Sequence, residues 1–297
     1  MHIALVLVAV ALGSVLFHFL SPWWFTPIAS NWAYIDDTII ITFWITGAAF
    51  TAVVLFMAYC IFRFRHVEAR RAAYEPESKR LEWWLAGVTA VGVAAMLAPG
   101  LFVWRQFVTV PAAASEFEAV GQQWQWAFRL PGPGERLGRS DARFVSDQNP
   151  LGLDPDDPSA RDNVVVVADD MHLPVDVPVK VLLRSIDVVH NFYVPEFRAK
   201  MDLMPGMVSY FWFTPTRVGR FEILCAGFCG IGHPQMRGNI VIEPAGDYQA
   251  WLRKQQTFAQ MSLSSRTGLA TGDGPARRGP DLAAAAGPGG QTGEGAR

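Results

Sequence analysis

The sequence predicts a membrane-anchored protein, in which an α-helical anchor of two to three transmembrane helices precedes an all-β sandwich. Two observations lead to this prediction. Long apolar runs are confined to the first 110 residues, and short β-branched or aromatic runs broken by Pro, Gly and Asp follow them. The 51% hydrophobic content is also high for a water-soluble protein. We therefore divide the chain into an anchor over residues 1–110, a β domain over 111–255 and a low-complexity tail over 256–297.

Three apolar stretches predict the helices of the anchor. Thr38–Phe62 and Trp83–Trp104 carry no charge, and each is long enough to cross a hydrocarbon core of about 30 Å as a helix. Ile3–Leu20 is shorter and contains His18. It is either a third span, which we favour because a basic n-region and a clear cleavage site are lacking, or the core of a cleaved signal peptide. Cys60 lies inside the second run and is interpreted as a small buried hydrophobe.

The distribution of basic residues orients the anchor in a bacterial-type inner membrane. Six Lys or Arg residues lie between the second and third spans, whereas Ser21–Asp37 has none. By the positive-inside rule, residues 63–82 face the cytoplasm, and the chain after the third span lies on the outer, periplasmic side. Tryptophans at the span ends predict an aromatic belt in the lipid bilayer. The basic residues are Arg63, Arg65, Arg70, Arg71, Lys79 and Arg80, and the tryptophans are Trp23, Trp24, Trp32, Trp83, Trp84 and Trp104.

Short runs after residue 115 predict an antiparallel sandwich rather than βαβ units. Pro131–Arg161 is rich in Gly, Pro, Asp and Ser and predicts a long surface excursion. From residue 256 the chain has few large apolar side chains, so we expect it to be disordered. Residues 106–255 hold 14 Lys or Arg and 18 Asp or Glu, which disfavours nucleic acid and favours a basic partner. Examples of the strand-like runs are Trp124–Leu130, Asn163–Ala168, Val179–Arg184, Met207–Thr214, Arg220–Cys225 and Gly238–Glu243.

One loop of the β domain concentrates soft metal ligands. Cys225 and Cys229 are followed by His233 and Met236, and a further imidazole, His190, lies upstream. Thiolate, imidazole and thioether together select copper over the hard cations that prefer oxygen. The spacing of the cysteines differs from the C-x2-C of most zinc knuckles, and a Met three residues after a His suits a weak axial copper ligand. The loop therefore predicts an electron-transfer copper site.

The arrangement of this loop is typical of a cupredoxin, because it joins two strand-like runs and one ligand comes from an earlier strand end. Four motifs of the chain stand out: Gln123-Trp124-Gln125-Trp126, Asp187-Val188-Val189-His190, Val194–Gly206 and Cys225–Met236. Through these motifs, and along nearly its whole length, the chain resembles subunit II of the haem-copper oxygen reductases, the cytochrome c oxidase subunit with a CuA centre.

The resemblance implies a binuclear copper centre in which two thiolates bridge the metal ions. The family usually has Glu or Gln at the position of Gly227. The backbone carbonyl that copper needs is kept here, whereas the carboxylate that would reach a nearby magnesium or manganese ion is missing, which puts this second metal in doubt. The implied ligands are Cys225 and Cys229 as bridges, His190 with Met236 on one copper, and His233 with the carbonyl of Gly227 on the other.

The resemblance also implies roles for two residues outside the ligand set. Trp124 matches the exposed tryptophan at which electrons from cytochrome c enter, while Trp126 is interpreted as a core residue. Glu82, at the cytoplasmic start of the third span, matches a glutamate at the mouth of the proton channel into the catalytic subunit. A carboxylate at a helix N-terminus is also favourable for its own sake.

Charged residues of the β domain suggest how partners bind. Asp187 matches a position near the docking face for a basic cytochrome c, which exposed carboxylates would steer. Lys200 and Asp202 match a pair near the interface with subunit I, or form an ordinary surface ion pair. We interpret His172 as structural, and an acidic cluster as a solvated loop rather than a second docking site. That cluster is Asp154, Asp156 and Asp157.

The function implied by the resemblance is that of the electron-accepting subunit of a proton-translocating oxidoreductase. It would take single electrons from cytochrome c and pass them to haem in subunit I, where oxygen is reduced to water and protons are pumped. The haem belongs to the partner, so this subunit does not reduce oxygen by itself. A different class of protein, a membrane-anchored module for copper storage or delivery, would need an exposed and flexible ligand loop. Quinol-oxidising relatives lack the cysteine pair, which argues against quinol as the donor.

Overall fold

A computed structural model of the chain describes residues 1–21, 26–68, 71, 74 and 77–271, with side chains up to residue 264. It begins with three helices, α1 (His2–Leu20), α2 (Ala33–Arg63) and α3 (Lys79–Val108). All three are long and apolar enough to cross a membrane, and α1 and α3 each pack against α2. The predicted helical anchor is therefore confirmed, with three apolar helices.

Polar side chains inside α2 are satisfied within the helix. The hydroxyls of Thr38, Thr42 and Thr46 each donate to the carbonyl one turn earlier, at distances of 2.7–2.9 Å. In a hydrocarbon environment an unpaired hydroxyl has no water to bond. These internal bonds allow three threonines in a segment that is otherwise apolar.

Two five-stranded sheets form the β domain, in the orders β3-β2-β1-β5-β8 and β4-β10-β9-β6-β7. The predicted sandwich is confirmed, but the prediction that it is antiparallel throughout was wrong, because β1 pairs with β5 and β4 with β10 in parallel. The strands are β1 (Ser115–Gln122), β2 (Gln125–Leu130), β3 (Val164–Val167), β4 (Met171–Pro174), β5 (Val179–Ser185), β6 (His190–Val194), β7 (Ala199–Leu203), β8 (Ser209–Phe213), β9 (Gly219–Cys225) and β10 (Arg237–Glu243).

Alternation along the strands builds the core between the sheets. In β9, Phe221, Ile223 and Cys225 are buried while the residues between them are partly exposed. Because side chains of a strand alternate between its two faces, this period places every second residue in the core. Cys225 is the last inward position of β9, so the same alternation that packs the core directs a thiol inward at the strand end.

The anchor and the β domain are joined by direct contacts. The indole of Trp32 donates to the carbonyl of Trp212 at 2.9 Å, and the indole of Trp212 donates to the carbonyl of Gln106 at the end of α3 at 2.9 Å. Arg198 adopts a left-handed backbone conformation (φ 53°) and binds both carboxylate oxygens of Asp36 at 2.6 and 2.8 Å. The domain is thus fixed to the starts and ends of the spans.

Tryptophans at the span ends have two different roles. Trp83, Trp84 and Trp104 are exposed on α3, as a belt at the lipid boundary requires. Trp32, by contrast, is almost fully buried against the β domain, so its assignment to the belt was wrong. Hydropathy cannot distinguish these cases, because both place an indole beside an apolar run. Trp23 and Trp24 lie outside the described residues, as do Arg70 and five of its neighbours in the loop.

The long excursion between β2 and β3 covers the outer face of its sheet. It contains one short helix, α4 (Pro158–Asp162), and it buries Leu151, Leu153 and Ala160. Polar bonds fix it to the strands, since Arg129 donates to the carbonyl of Gly138 at 2.8 Å. The excursion is therefore part of the folded domain rather than a loop that only meets solvent.

A buried ion-pair network lies under this excursion. Glu118 accepts from Arg129 at 2.7 Å and from Arg184 at 3.2 Å, and Arg129 also reaches the side chain of Asn163 at 3.0 Å. Burial raises the pKa of Glu118, but the two guanidinium groups outweigh that effect and hold the pKa of its carboxyl below the usual value. The carboxylate is therefore ionised in the fold at neutral pH.

The start of the C-terminal segment is folded, which corrects part of our prediction. We expected disorder from residue 256, but α5 (Ala245–Leu252) is followed by α6 (Phe258–Thr271). The side chain of Phe258 is buried in a cluster with Val165 and Ala160. Its backbone N–H donates to the carbonyl of Asn163 at 2.9 Å, and Thr257 forms a bridge with Val164, so packing and backbone bonds together dock the segment. The rest of the predicted tail, from residue 272, lies outside the described residues.

We expect Glu118→Gln to destabilise the β domain by about 3–5 kcal/mol, because it leaves two buried guanidinium groups without a counter-charge. The matched change Glu116→Gln removes a carboxylate from the partly exposed pair with Lys180 and should cost less than about 1 kcal/mol. Urea unfolding of the detergent-solubilised protein, followed by tryptophan fluorescence, measures both.

The pH dependence of unfolding provides a second readout. The pKa of Glu118 is lower in the folded state than in the unfolded state. The ionised carboxylate therefore stabilises the fold fully at pH values above the usual pKa of a glutamate, and this stabilisation is lost as the pH falls through the lowered pKa. Glu118→Gln should flatten this acid-dependent loss. Equal free energies of unfolding for the two variants would mean that the network does not hold the excursion.

Candidate metal centre

The candidate ligands come from two adjacent strands and the loop between β9 and β10. In the register between β6 and β9, Phe192 is opposite Cys225, which places His190 close to the end of β9. The loop that follows contains a one-turn 3₁₀ helix, His233–Gln235. The backbone N–H of Cys225 donates to the carbonyl of Met236 at 3.2 Å and closes the loop at its base. The loop is therefore a strand connection with a fixed start and end.

All six predicted ligands meet in one place. The two sulfurs of Cys225 and Cys229 are 3.7 Å apart, and the ligand atoms of His190, Cys225 and Cys229 lie within 4.8 Å of one another. Each of the other candidate donors lies within 4 Å of one of the two sulfurs. Cys225 Sγ is 3.9 Å from His190 Nδ1 and 3.2 Å from the carbonyl oxygen of Gly227, and Cys229 Sγ is 3.5 Å from His233 Nδ1 and 3.9 Å from Met236 Sδ.

The chemistry of this cluster fits copper. Its donors are two thiols, two imidazoles, a thioether and a backbone carbonyl, a set dominated by soft and borderline ligands. His190, Cys229 and Met236 are 0%, 3% and 1% exposed. Burial and the neighbouring Cys225 raise the pKa of Cys229 to about 11, so its thiol is protonated until a metal displaces the proton. Buried, close-set thiols of this kind suit a metal that binds sulfur strongly.

Asp187 orients one of the imidazoles. Its carboxylate accepts from His190 Nε2 at 2.8 Å and from the backbone N–H of Gln123 and Val188 at 2.6 and 2.7 Å. Burial raises the pKa of Asp187, but the bonds from Gln123 and His190 outweigh it and lower the pKa of this carboxyl. A proton held on Nε2 leaves Nδ1, which faces Cys225, free to bind a metal. We had assigned Asp187 to docking only, and this positioning role went unpredicted.

Trp124 lies against the ligand loop. It is 38% exposed, and its indole N–H donates to the carbonyl of Cys229 at 3.1 Å. The side-chain amide of Gln123 donates to the same oxygen at 2.9 Å. Trp124 belongs to the turn before β2, so the predicted strand Trp124–Leu130 begins one residue later than expected, whereas Trp126 is buried as predicted.

The glycines of the loop differ in how much space they leave. A Cβ added to Gly232 would lie 2.2 Å from Trp124 Cδ2, so the indole packs directly on its backbone. A Cβ added to Gly227 would meet Asn191 Cβ at 3.4 Å, an ordinary van der Waals contact. Gly232 is therefore required by packing, whereas Gly227 has room for a side chain and simply lacks one.

Other candidate residues lie outside the cluster. His172 pairs with Glu243 at 2.8 Å and stacks on Trp251, which supports its structural interpretation. Lys200 lies over the ring of Tyr193 and Asp202 accepts from Asn191 at 2.6 Å, so these two charges have separate partners. Asp154 and Asp157 pair with Arg139, and Glu82 is exposed in the first turn of α3.

Comparison with known proteins places the chain among oxidase subunits. Residues 116–245 match the family described as cytochrome c oxidase subunit II, periplasmic domain. The alternative cytochrome c oxidase subunit 2 of Bradyrhizobium diazoefficiens is 65% identical over 262 residues, which cover 88% of this chain and 95% of the relative. Cytochrome c oxidase subunit 2 of Cereibacter sphaeroides is 26% identical over 242 residues and 77% of each chain.

A solved structure also aligns with the β domain. The periplasmic domain of subunit II of cytochrome oxidase from Bradyrhizobium japonicum is 25% identical, with a TM-score of 0.36, covering 49% of this chain and 95% of its own. The fold and the ligand cluster define the class, a membrane-anchored cupredoxin-like protein with a donor set suited to copper. Within that class, the chain belongs to the cytochrome c oxidase subunit 2 family, whose members are subunits of a larger oxidase.

The two glycines provide a test of how the loop is held. Gly232→Ala should displace Trp124, because an added methyl group at 2.2 Å has no room, and should broaden or shift the absorption bands of copper-loaded protein. Gly227→Ala should leave those bands largely intact, because the backbone carbonyl is kept and there is room for the added methyl group.

Visible absorption and tryptophan fluorescence of the two variants, loaded with copper in parallel, distinguish these outcomes. If Gly232→Ala keeps the indole fluorescence and the copper bands of the parent protein, Trp124 is not packed on the loop as described.

Proposed function

We propose that this subunit accepts electrons from cytochrome c at a binuclear CuA centre and passes them to haem in subunit I, for the reduction of oxygen to water coupled to proton pumping. The observation that carries the proposal is the meeting of six donors, with two sulfurs 3.7 Å apart. A pair of bridging thiolates can hold two copper ions that share one electron. A site with a single cysteine could not do so.

The surroundings of the donors suit electron transfer because they resist rearrangement. His190 is fixed on one side by the register of β6 and on the other by the carboxylate of Asp187. Both ends of the ligand loop are strands, and the loop is closed by the bond from Cys225 to Met236. When bound, copper would supply one-electron redox chemistry, and rigid ligands keep the cost of changing oxidation state small.

The same rigidity disfavours copper storage or delivery. A site that exchanges metal readily needs ligands on exposed, flexible segments, whereas three of these donors are at most 3% exposed. Delivery would also leave the position of Trp124 unexplained. We therefore propose electron transfer as the function, and the experiments below test it against storage.

Trp124 is the proposed point at which electrons enter from the donor. It is the exposed aromatic residue that bonds the backbone of a ligand residue, since its indole reaches the carbonyl of Cys229. An electron arriving at the indole thus has a short hydrogen-bonded route to the cysteine. Trp126 lies deeper, against Phe192, and its role is packing.

The remaining parts of the proposal concern location and partners. The β domain with its metal centre faces the periplasm of a bacterial-type inner membrane, and the anchor contacts subunit I. Glu82 marks the mouth of a proton channel on the cytoplasmic side. The lack of a side chain at Gly227 leads us to propose that this subunit contributes no carboxylate to a magnesium or manganese ion there.

Copper loading tests the centre itself. The full-length protein should bind two copper ions per chain, and its electron paramagnetic resonance spectrum should show one electron shared between both. Cys225→Ser should abolish this signal, because the double thiolate bridge between the two copper ions is lost. One localised copper signal in the parent protein, unchanged in Cys225→Ser, would overturn the assignment.

Reduction of the assembled oxidase by cytochrome c separates the roles of two residues. Trp124→Phe should slow electron transfer severalfold or more while copper content is unchanged, because the ring still packs but the indole and its N–H are lost. Asp187→Asn should instead weaken copper binding by about 10–100-fold, as expected for a group that orients a ligand. Stopped-flow rates and copper content, measured at several ionic strengths, give both quantities.

The matched controls lie at the far end of the β domain. Trp251→Phe changes an indole that stacks on His172, and Asp247→Asn removes an exposed charge from the start of α5. Neither should alter reduction rates or copper content. Parent-like rates in Trp124→Phe would mean that electrons enter elsewhere. A change in salt dependence alone for Asp187→Asn would restore its docking role.

A further inference from the structure

The connection between β7 and β8 is a tight turn with a methionine on each side. The backbone N–H of Met207 donates to the carbonyl of Met204 at 3.2 Å, and Gly206 between them has φ 77°. With Pro205 before the glycine, these are the features of a type II β-turn, which brings its first and fourth Cα atoms within about 7 Å. The two thioether side chains therefore start from neighbouring positions.

Both methionine side chains are exposed to solvent and therefore do not serve to fill the core. Met204 is 40% and Met207 61% exposed. Within the described part of the β domain, the other methionines are buried or half-buried: Met171, Met201 and Met236. Polar residues are ordinary at the ends of such a turn, so two exposed thioethers are a feature that the fold itself leaves unexplained.

The turn lies at the same end of the domain as the metal centre. The register of β6 with β7 pairs His190 with Leu203, so Met204 follows directly after the partner of a copper ligand. A Cβ added to Gly121 would touch both His190, at 2.9 Å, and Leu203, at 3.1 Å, which shows that these two side chains share one space. Pro205 in turn bridges to Ser185, close to Asp187. The turn is thus a neighbour of the centre on the solvent side.

We propose that Met204 and Met207 form a transient Cu(I) site that captures copper for the cysteine centre. Thioethers are soft ligands that select Cu(I), and, unlike the buried thiols, they bind it without losing a proton. The inference rests on the proposed copper function and concerns how the metal arrives. In the transfer, copper remains Cu(I) and no electron moves. The bonds to the thioethers break, bonds to Cys225 and Cys229 form, and each thiol releases its proton to water.

A variant without the two thiols tests the site, because Cu(I) binding with and without the methionines is then compared against the same remaining donors, His190, His233 and Met236. Full-length Cys225→Ser/Cys229→Ser protein, titrated anaerobically with Cu(I) from a chromophoric chelator, should still bind one Cu(I). Adding Met204→Leu/Met207→Leu should remove that binding. Leucine keeps the apolar surface and the turn, so the change tests the thioethers and not the packing. Equal Cu(I) binding with and without the two methionines would overturn the proposal.

Loading kinetics then test the purpose of the site. With both cysteines present, Met204→Leu/Met207→Leu should load the centre severalfold more slowly at limiting Cu(I), and reach the same final copper content. Met261→Leu, which alters a half-buried methionine of α6, is the control and should load at the parent rate. An unchanged loading rate in the double variant contradicts a capture role. A parent protein that never forms a two-copper centre would instead refute the proposed function. The Cu(I) titration of the Cys225→Ser/Cys229→Ser protein would still decide whether the methionines bind copper.

Discussion

The antiparallel pairing of β6 with β9 is the constraint on which the candidate centre depends. It brings His190, at the start of one strand, to the thiol of Cys225, at the end of the other. Neither strand could shift by one residue without turning its inward side chains to solvent. The aromatic core that fixes this register, with Phe192 and Phe221 facing inward, therefore also sets the distances between the candidate metal ligands. Stability and function share one set of contacts in this domain.

The sequence predicted the structure best where a group of residues has few alternative explanations. Two cysteines, a histidine and a methionine within one loop predicted the ligand cluster, and runs of uncharged residues predicted the spans. Strands β1, β4, β6 and β7 were not among the predicted runs, because their polar residues and neighbouring prolines hide the alternation that marks a strand. The parallel pairs were missed as well, since a strand's own sequence does not show the direction of its partner.

Contacts between distant segments explain the remaining differences. Asp187 was interpreted as a surface charge because its sequence neighbours do not show that the backbone of Gln123 would meet it in the fold. The excursion after β2 was expected to be a solvent loop, yet one guanidinium group, Arg129, binds a carboxylate, a carbonyl and an amide beneath it. A polar composition predicts exposure well, but it cannot show that polar groups will satisfy one another in a buried network.

The junction between anchor and β domain has a consequence for how the protein is made. Ser30 pairs with Pro215 and donates to the carbonyl of Phe197, and Ala29 exchanges backbone bonds with Glu196 and Thr216. Residues that lead into α2 thus bond with segments that lie some 170–190 positions later in the chain. Because residues 27–30 are synthesised long before these segments, the β domain reaches its final packing only on an early part of the chain that is already in place. The position of the second helix and the folding of the β domain are therefore coupled.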